Sequence, residues 1–137
     1  MPMRRVALPL ALRAQILRAA QDAHPRECCG LVEGVCEGQD FRIAVLHPAR
    51  NLAEAADKFE IDPHDQFAAY KTARARGAAI IGCYHSHPGG QPAPSAADLA
   101  GAGEEDFLWL IASGETLGAF VYSRGKFFGA EWVTSSA

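Results

Sequence analysis

The sequence predicts an α/β fold: one domain in which a β-sheet is flanked by helices. Short apolar runs of strand length alternate with two longer segments of helical period, and Gly, Pro and Asp punctuate the joins. The 137 residues contain no repeated unit and no low-complexity segment, so residues 1–137 read as a single domain around one core.

In chain order, residues 4–8 read as a first strand. Residues 10–23 read as a helix, with Leu12, Ile16, Leu17 and Ala20 on one apolar stripe and Arg13, Gln15 and Arg18 facing out. His24-Pro25 ends it. Residues 29–36 and 41–46 form a hairpin across Glu37-Gly-Gln-Asp40. Residues 48–57 are a connection, and 59–61 a short strand. Asp62-Pro63 places a cap before a proline at the first helical position, opening a helix that runs to Arg76. Lys71, Arg74 and Arg76 suit its negative end, and Gly77 stops it. Residues 78–84 read as a buried strand, and a short helix starts at Ser95. Residues 107–112, 117–122 and 126–133 complete the sheet, with Tyr84, Phe107, Trp109 and Phe120 in the core.

Composition narrows the function classes. Apolar content of 49% with 21% charged residues is that of an ordinary soluble domain. A formal charge of −3 gives no basic footprint for nucleic acid, and no apolar run reaches the length of a membrane span. Cys28, Cys29, Cys36 and Cys83 show neither a disulfide framework nor a CxxC pair, so they read as reduced cysteines in a cytoplasmic protein. The apolar run after Arg4-Arg5 faintly imitates an export signal, but Pro9 interrupts it and Arg13 follows closely, so retention in the cytoplasm is expected.

The stretch from His85 to Asp98 carries the chemistry. His85 and His87 sit at alternate positions, so on a strand they share a face with backbones roughly 6–7 Å apart. Pro88 ends the strand, and Gly89, Gly90, Pro92 and Pro94 form a loop that can turn the chain back. Ser95 then caps a helix whose first turn holds Asp98. Two imidazoles and one carboxylate delivered to one point make an open three-ligand metal site, leaving a fourth position for water. Cys83 lies on the same strand face and is a rival ligand. Three successive same-face donors would span about 13 Å, too far for one ion, so His85 and His87 are chosen because they adjoin the loop. Ser86 points the other way and reads as packing. His24, His47 and His64 have no matching partners and read as surface or capping residues, and Asn51 as a residue bonding backbone near the site.

His-x-His, seven residues, Ser, two residues, Asp resembles the signature of the JAMM (MPN-domain) metallopeptidases. Pro25-Arg-Glu27-Cys-Cys-Gly30-Leu31 is similar to that family's Pro-x-Glu-x-x-Gly-Leu segment, and the likeness runs from about Met3 to Trp132. The resemblance implies a single MPN-type α/β domain with a mixed, mostly antiparallel β-sheet flanked by helices, and one zinc ion per chain on His85, His87 and Asp98. It implies Glu27 as general base and acid through the attacking water, and Ser95 as donor to the developing oxyanion. Read without it, Glu27 is a solvated charge at a strand start.

The resemblance also suggests the substrate: the bond after a C-terminal Gly-Gly of a ubiquitin-like protein. The short interval between Asp98 and the next strand, residues 99–106, lacks the long insertion of members that process ubiquitin chains. It fits the small prokaryotic members, which act on ubiquitin-like modifier or sulfur-carrier proteins attached to lysine or to a small amino acid. Rival readings are a zinc peptidase acting on phage-tail or cell-wall peptides, a non-catalytic MPN scaffold, and a RadC-type DNA-associated protein. The sequence is compatible with a homodimer.

Overall fold

The computed structural model describes residues 3–133. The elements follow as β1 (Arg5–Ala7), α1 (Leu10–Ala23), β2 (Cys29–Glu37), β3 (Asp40–Ala49), α2 (Pro63–Ala75) and β4 (Ala79–Ser86). Then come α3 (Ala96–Gly101), β5 (Phe107–Ser113), β6 (Thr116–Ser123), β7 (Lys126–Gly129) and β8 (Glu131–Trp132). One eight-stranded sheet takes the order β7-β6-β5-β4-β2-β3-β1-β8. The pairs β4–β5, β1–β3 and β1–β8 are parallel, and the other four are antiparallel. The mixed, mostly antiparallel sheet with flanking helices is therefore as the resemblance implies.

The expected strand over 126–133 is in fact two strands at opposite ends of the sheet. Only Ala130 separates them, so the two edges of the sheet must meet there. The Ala130 N–H donates to the Ala119 carbonyl and the Glu131 N–H to that of Arg4, both at 2.9 Å. A sheet this wide accumulates enough twist to roll up, and bringing its edges together shields them from foreign strands. The local pattern is strand-like on both sides of Ala130 and cannot reveal a change of partner.

On one face of the sheet, Ile16 of α1, with Leu12, Leu17 and Ala20, packs against Val32, Leu108 and Leu110. This is the stripe expected from the helical period. On the other face, Ala69 and Ala73 of α2 lie over Leu31, Ile80, Cys83 and Trp109. Two alanines four residues apart present almost no side chain, so α2 can approach closely. The Asp62 carboxylate accepts from the His64 N–H at 2.9 Å, and Pro63 follows as the first helical residue. No helix among the described residues is long and apolar enough to cross a membrane.

Two further expectations change. Residues 59–61 do not form a strand. Ile61 makes only an isolated bridge to Asn51, which closes the 52–60 segment into a loop. His47, expected on the surface, bonds through Nε2 to the Glu33 carboxylate at 2.7 Å. Arg76 donates to the same group through Nε at 3.0 Å and Nη2 at 2.8 Å. Glu33 is 2% exposed, so this network ties β2, β3 and the end of α2 together around a desolvated charge.

Arg76, first, and His47 hold the Glu33 carboxyl below its ordinary value against the opposing effect of burial. A depressed carboxylate stabilises the fold above its unfolded-state pKa, and that contribution disappears as pH falls through the folded one. Urea midpoints of the wild type should therefore drop more steeply below about pH 5 than those of Glu33→Gln. Parallel pH profiles for the two proteins would contradict the assignment.

Candidate metal centre

The register of one antiparallel pair builds the site. Cys29 of β2 lies opposite His85 of β4, so continuing the pairing by two residues sets Glu27 opposite His87. The pairing does continue past Cys29: the Ser86 N–H donates to the Cys28 carbonyl at 3.2 Å, while on the other side of the strand the His87 N–H donates to the Ala112 carbonyl of β5 at 2.8 Å. Alternation then puts Glu27, His85 and His87 on one face, where a slip of one residue would remove Glu27.

The loop from Pro88 to Pro94 returns the chain to that face. Gly89 adopts φ +73°, where a side chain would be strained. The loop is pinned by Ser113 Oγ donating to the Gly90 carbonyl at 2.6 Å. It also lies flat on β6 at Gly118, where a methyl group would collide with the Pro92 carbonyl oxygen. Ser95 and Asp98 then form a complete capping box. Ser95 Oγ accepts from the Asp98 N–H at 3.1 Å, and Asp98 Oδ2 accepts from the Ser95 N–H at 2.9 Å. The cap is structural, and it also aims the carboxylate.

Asp98, buried at 5% exposure, reaches both histidines. His85 Nε2 lies 3.1 Å from Oδ1 and 3.2 Å from Oδ2, and His87 Nε2 lies 3.1 Å from Oδ2. The two Nε2 atoms are 2.9 Å apart. Tetrahedral zinc bonds of about 2.0–2.1 Å place neighbouring donors about 3.3 Å apart, so the three groups match the edges of such a tetrahedron. Glu27 brings a carboxylate oxygen within 4.8 Å of the ring nitrogens. No hydrogen bond joins it to either ring, so the tighter donor set is the one containing Asp98. Cys83, the rival, is buried on the same strand face.

Protonation states also fit a cation. His85 is completely buried, stacked on Phe59 at 4.2 Å with Trp109 edge-on at 5.7 Å. Desolvation outweighs the pull of Asp98 and lowers its pKa, favouring the neutral imidazole that a metal needs. His87 Nδ1 donates to the Gln91 carbonyl at 2.9 Å, which leaves the Nε2 lone pair facing the other donors. Asp98 pulls the pKa of His87 up, and a dication at the same point would displace that proton. Burial works to raise the Asp98 pKa, but hydrogen bonds from His85 and His87 outweigh it and hold the carboxyl well below the usual range. Glu27, 6% exposed, behaves oppositely. Burial first, with Asp98 and Asp57 adding, overcomes the favourable charge of His87 and raises its pKa from 4.5 to about 7.

Two hollows of about 680 and 610 Å³ meet at Glu27, Asp57 and Ser95. The larger is walled by Phe59, Tyr70, Phe107 and Trp109, the smaller by Pro25, Pro88, Gly90 and Pro94. Phe59 and Asp57 come from the 52–60 loop, which the sequence read only as a connection and the start of a short strand, with no part in the site. Trp109, assigned to the core, also supports His85. Exposed His24 and His64 take no part.

Fold and donor set together define a small domain with a metal-type centre at one end of a rolled mixed sheet. Residues 9–123 match the family described as prokaryotic homologs of the JAB domain, and the chain belongs to that JAB (JAMM/MPN) family. It is 31% identical over 114 residues to a desampylase of Haloferax volcanii, covering 80% of this chain and 81% of the relative. A tail tip assembly protein K of Escherichia phage N15 is 34% identical over 99 residues, covering 72% of this chain and 37% of that longer protein. A solution structure of a Desulfitobacterium hafniense protein superposes with TM-score 0.83 at 29% identity, covering 93% of this chain and 91% of the other.

Gly118→Ala should lift the 88–94 loop from β6 and disturb the bond that orients His87. By analogy with other supporting contacts, affinity for a divalent ion should fall about 10–100-fold. Calorimetric titration with zinc measures this, and an unchanged affinity would show that the loop does not depend on that contact.

Proposed function

We propose that this chain is a zinc-dependent peptidase or isopeptidase. It hydrolyses the amide bond after the C-terminal Gly-Gly of a ubiquitin-like or sulfur-carrier protein, or of that protein's amino-acid adduct. The observation that carries this reading is the meeting of three metal-type donors and a desolvated glutamate at the junction of two hollows. His85, His87 and Asp98 would hold one zinc ion per chain. Zinc supplies Lewis acidity, making water nucleophilic near neutral pH and polarising a carbonyl.

Glu27 takes a proton from the attacking water and returns it to the departing amine. A group that must accept and then release a proton works best with a pKa near the working pH, and burial has moved Glu27 there. Ser95 Oγ already accepts from the Asp98 N–H, so its own hydroxyl proton remains to be donated. Its role is to donate that hydrogen bond to the developing oxyanion.

The paired hollows suit an extended substrate crossing the centre, with its acyl side in one and its amine side in the other. Glycines bring no side chain into so confined a passage. The likeness to a desampylase supports a modifier protein as substrate. The likeness to a phage tail tip protein keeps a second reading, cleavage of another peptide, as an outcome to be tested.

Elemental analysis should find about one zinc per chain in wild type and Glu27→Gln, and little in Asp98→Ala. A Gly-Gly-terminated carrier fusion should be cleaved by wild type, about 10²–10⁴-fold more slowly by Glu27→Gln and about 10²–10³-fold more slowly by Ser95→Ala. Bound zinc without cleavage of the fusion would transfer the reading to other peptides, and absence of zinc after reconstitution would remove it.

The pH dependence has a fixed sign. Ionised Glu27 is the active base, so kcat/KM should fall as pH is lowered from about 7 toward the ordinary glutamate value of 4.5. A profile that rises in this window would contradict the role of Glu27.

A further inference from the structure

The peptide group joining Glu27 to Cys28 is held from both sides by side chains. Asn51 Nδ2 donates to the Glu27 carbonyl at 3.0 Å, and Ser86 Oγ accepts from the Cys28 N–H at 2.9 Å. Carbonyl and N–H belong to one planar unit, and that unit also contains the Cα of Glu27. It lies just before the first residue of β2, where strand pairing is running out.

Neither side chain is casually placed. Asn51 uses its whole hydrogen-bonding capacity. Nδ2 also donates to the Lys58 carbonyl, and Oδ1 accepts from the N–H groups of Ala53 and Glu60, all at 2.9 Å. One side chain thus ties the Glu27 backbone to both ends of the loop that lays Phe59 on His85. Ser86 is 2% exposed and is the residue between the two histidines. The strand that carries His85 and the loop that supports it both hold the same peptide.

We infer that Asn51 and Ser86 are positioning residues for Glu27. They clamp the Glu27–Cys28 peptide and so hold the Glu27 carboxylate at the donor cluster. The effect on catalysis rests on the function proposed above, whereas the clamp rests on geometry alone. A carboxylate that moves a proton must be held within about 0.5 Å, and a misplacement of about 1 Å costs on the order of 10²-fold in rate.

Four variants separate positioning from general support of the fold. Asn51→Asp loses both donated bonds but keeps an acceptor for Ala53 and Glu60. Ser86→Ala loses the acceptor, Ser86→Thr retains it, and the double variant Asn51→Asp/Ser86→Ala tests whether both act on one peptide. Amide hydrogen exchange at Cys28 is measured by NMR with and without zinc, and carrier-fusion hydrolysis at equal zinc content. Ser86→Ala should speed Cys28 exchange at least about 10-fold, and Ser86→Thr should restore protection. Ser86→Ala and Asn51→Asp should each lower kcat about 10–100-fold with KM within about two-fold, Ser86→Thr recovering most of the rate. The double variant should lose less than the product of the single losses. Unchanged exchange at Cys28 in Ser86→Ala overturns the clamp, and so does an unchanged kcat in both single variants. If the wild type itself cleaves nothing, the proposed function fails, and Cys28 exchange still decides the clamp.

Discussion

Three electron-rich donors held within 3.2 Å of one another are the constraint on which the rest of this structure depends. Ring protons let the histidines bond Asp98 at that range, but with both Nε2 lone pairs turned to a cation the three groups would repel, so the protein must impose the arrangement in advance. It does so by converging local devices. Strand alternation aligns the histidines, the Gln91 carbonyl turns the His87 ring, the Ser95 capping box aims Asp98, and Phe59 stacks on His85. Each fixes one donor, and a centre built this way is organised in advance of binding.

The rolled sheet makes these devices rigid. β4 lies between β2 and β5, so both sides of its backbone are paired and its side chains are enclosed from either face. That is why His85 can be wholly buried while His87, one step beyond the strand, reaches the hollows. The same central position fixes Glu27, because its placement follows from the β2–β4 register and not from any contact with the donors. Joining the sheet edges at Ala130 removes the freedom by which an open sheet would flex.

Burial divides the ionisable groups by role. Desolvation keeps His85 neutral and lifts Glu27 toward neutrality, whereas donor contacts keep Asp98 ionised beside them. Two carboxylates facing one volume thus take opposite tendencies, one suited to holding a cation and the other to moving a proton. Elsewhere, on Glu33, a buried carboxylate has been fully paired by Arg76 and His47 and serves only to join elements.

The sequence by itself determined what local pattern can determine. The period of residues 10–23 assigned the stripe of α1, Asp62-Pro63 located the start of α2, and alternation put Cys83, His85 and His87 on one face. Ser95 and Asp98 were legible as a cap, and the spacing to His87 was legible as a loop able to return. Tertiary structure decided the rest, because it depends on pairing between distant residues. It split the 126–133 segment between two sheet edges, dissolved the expected 59–61 strand into a loop, and buried Glu33 with His47. Glu27 shows the division most clearly: by pattern alone it is a surface charge, and only the register of β2 on β4 sets it against His87. A single sequence shows which face a residue takes on its own strand, but not which strand lies beside it.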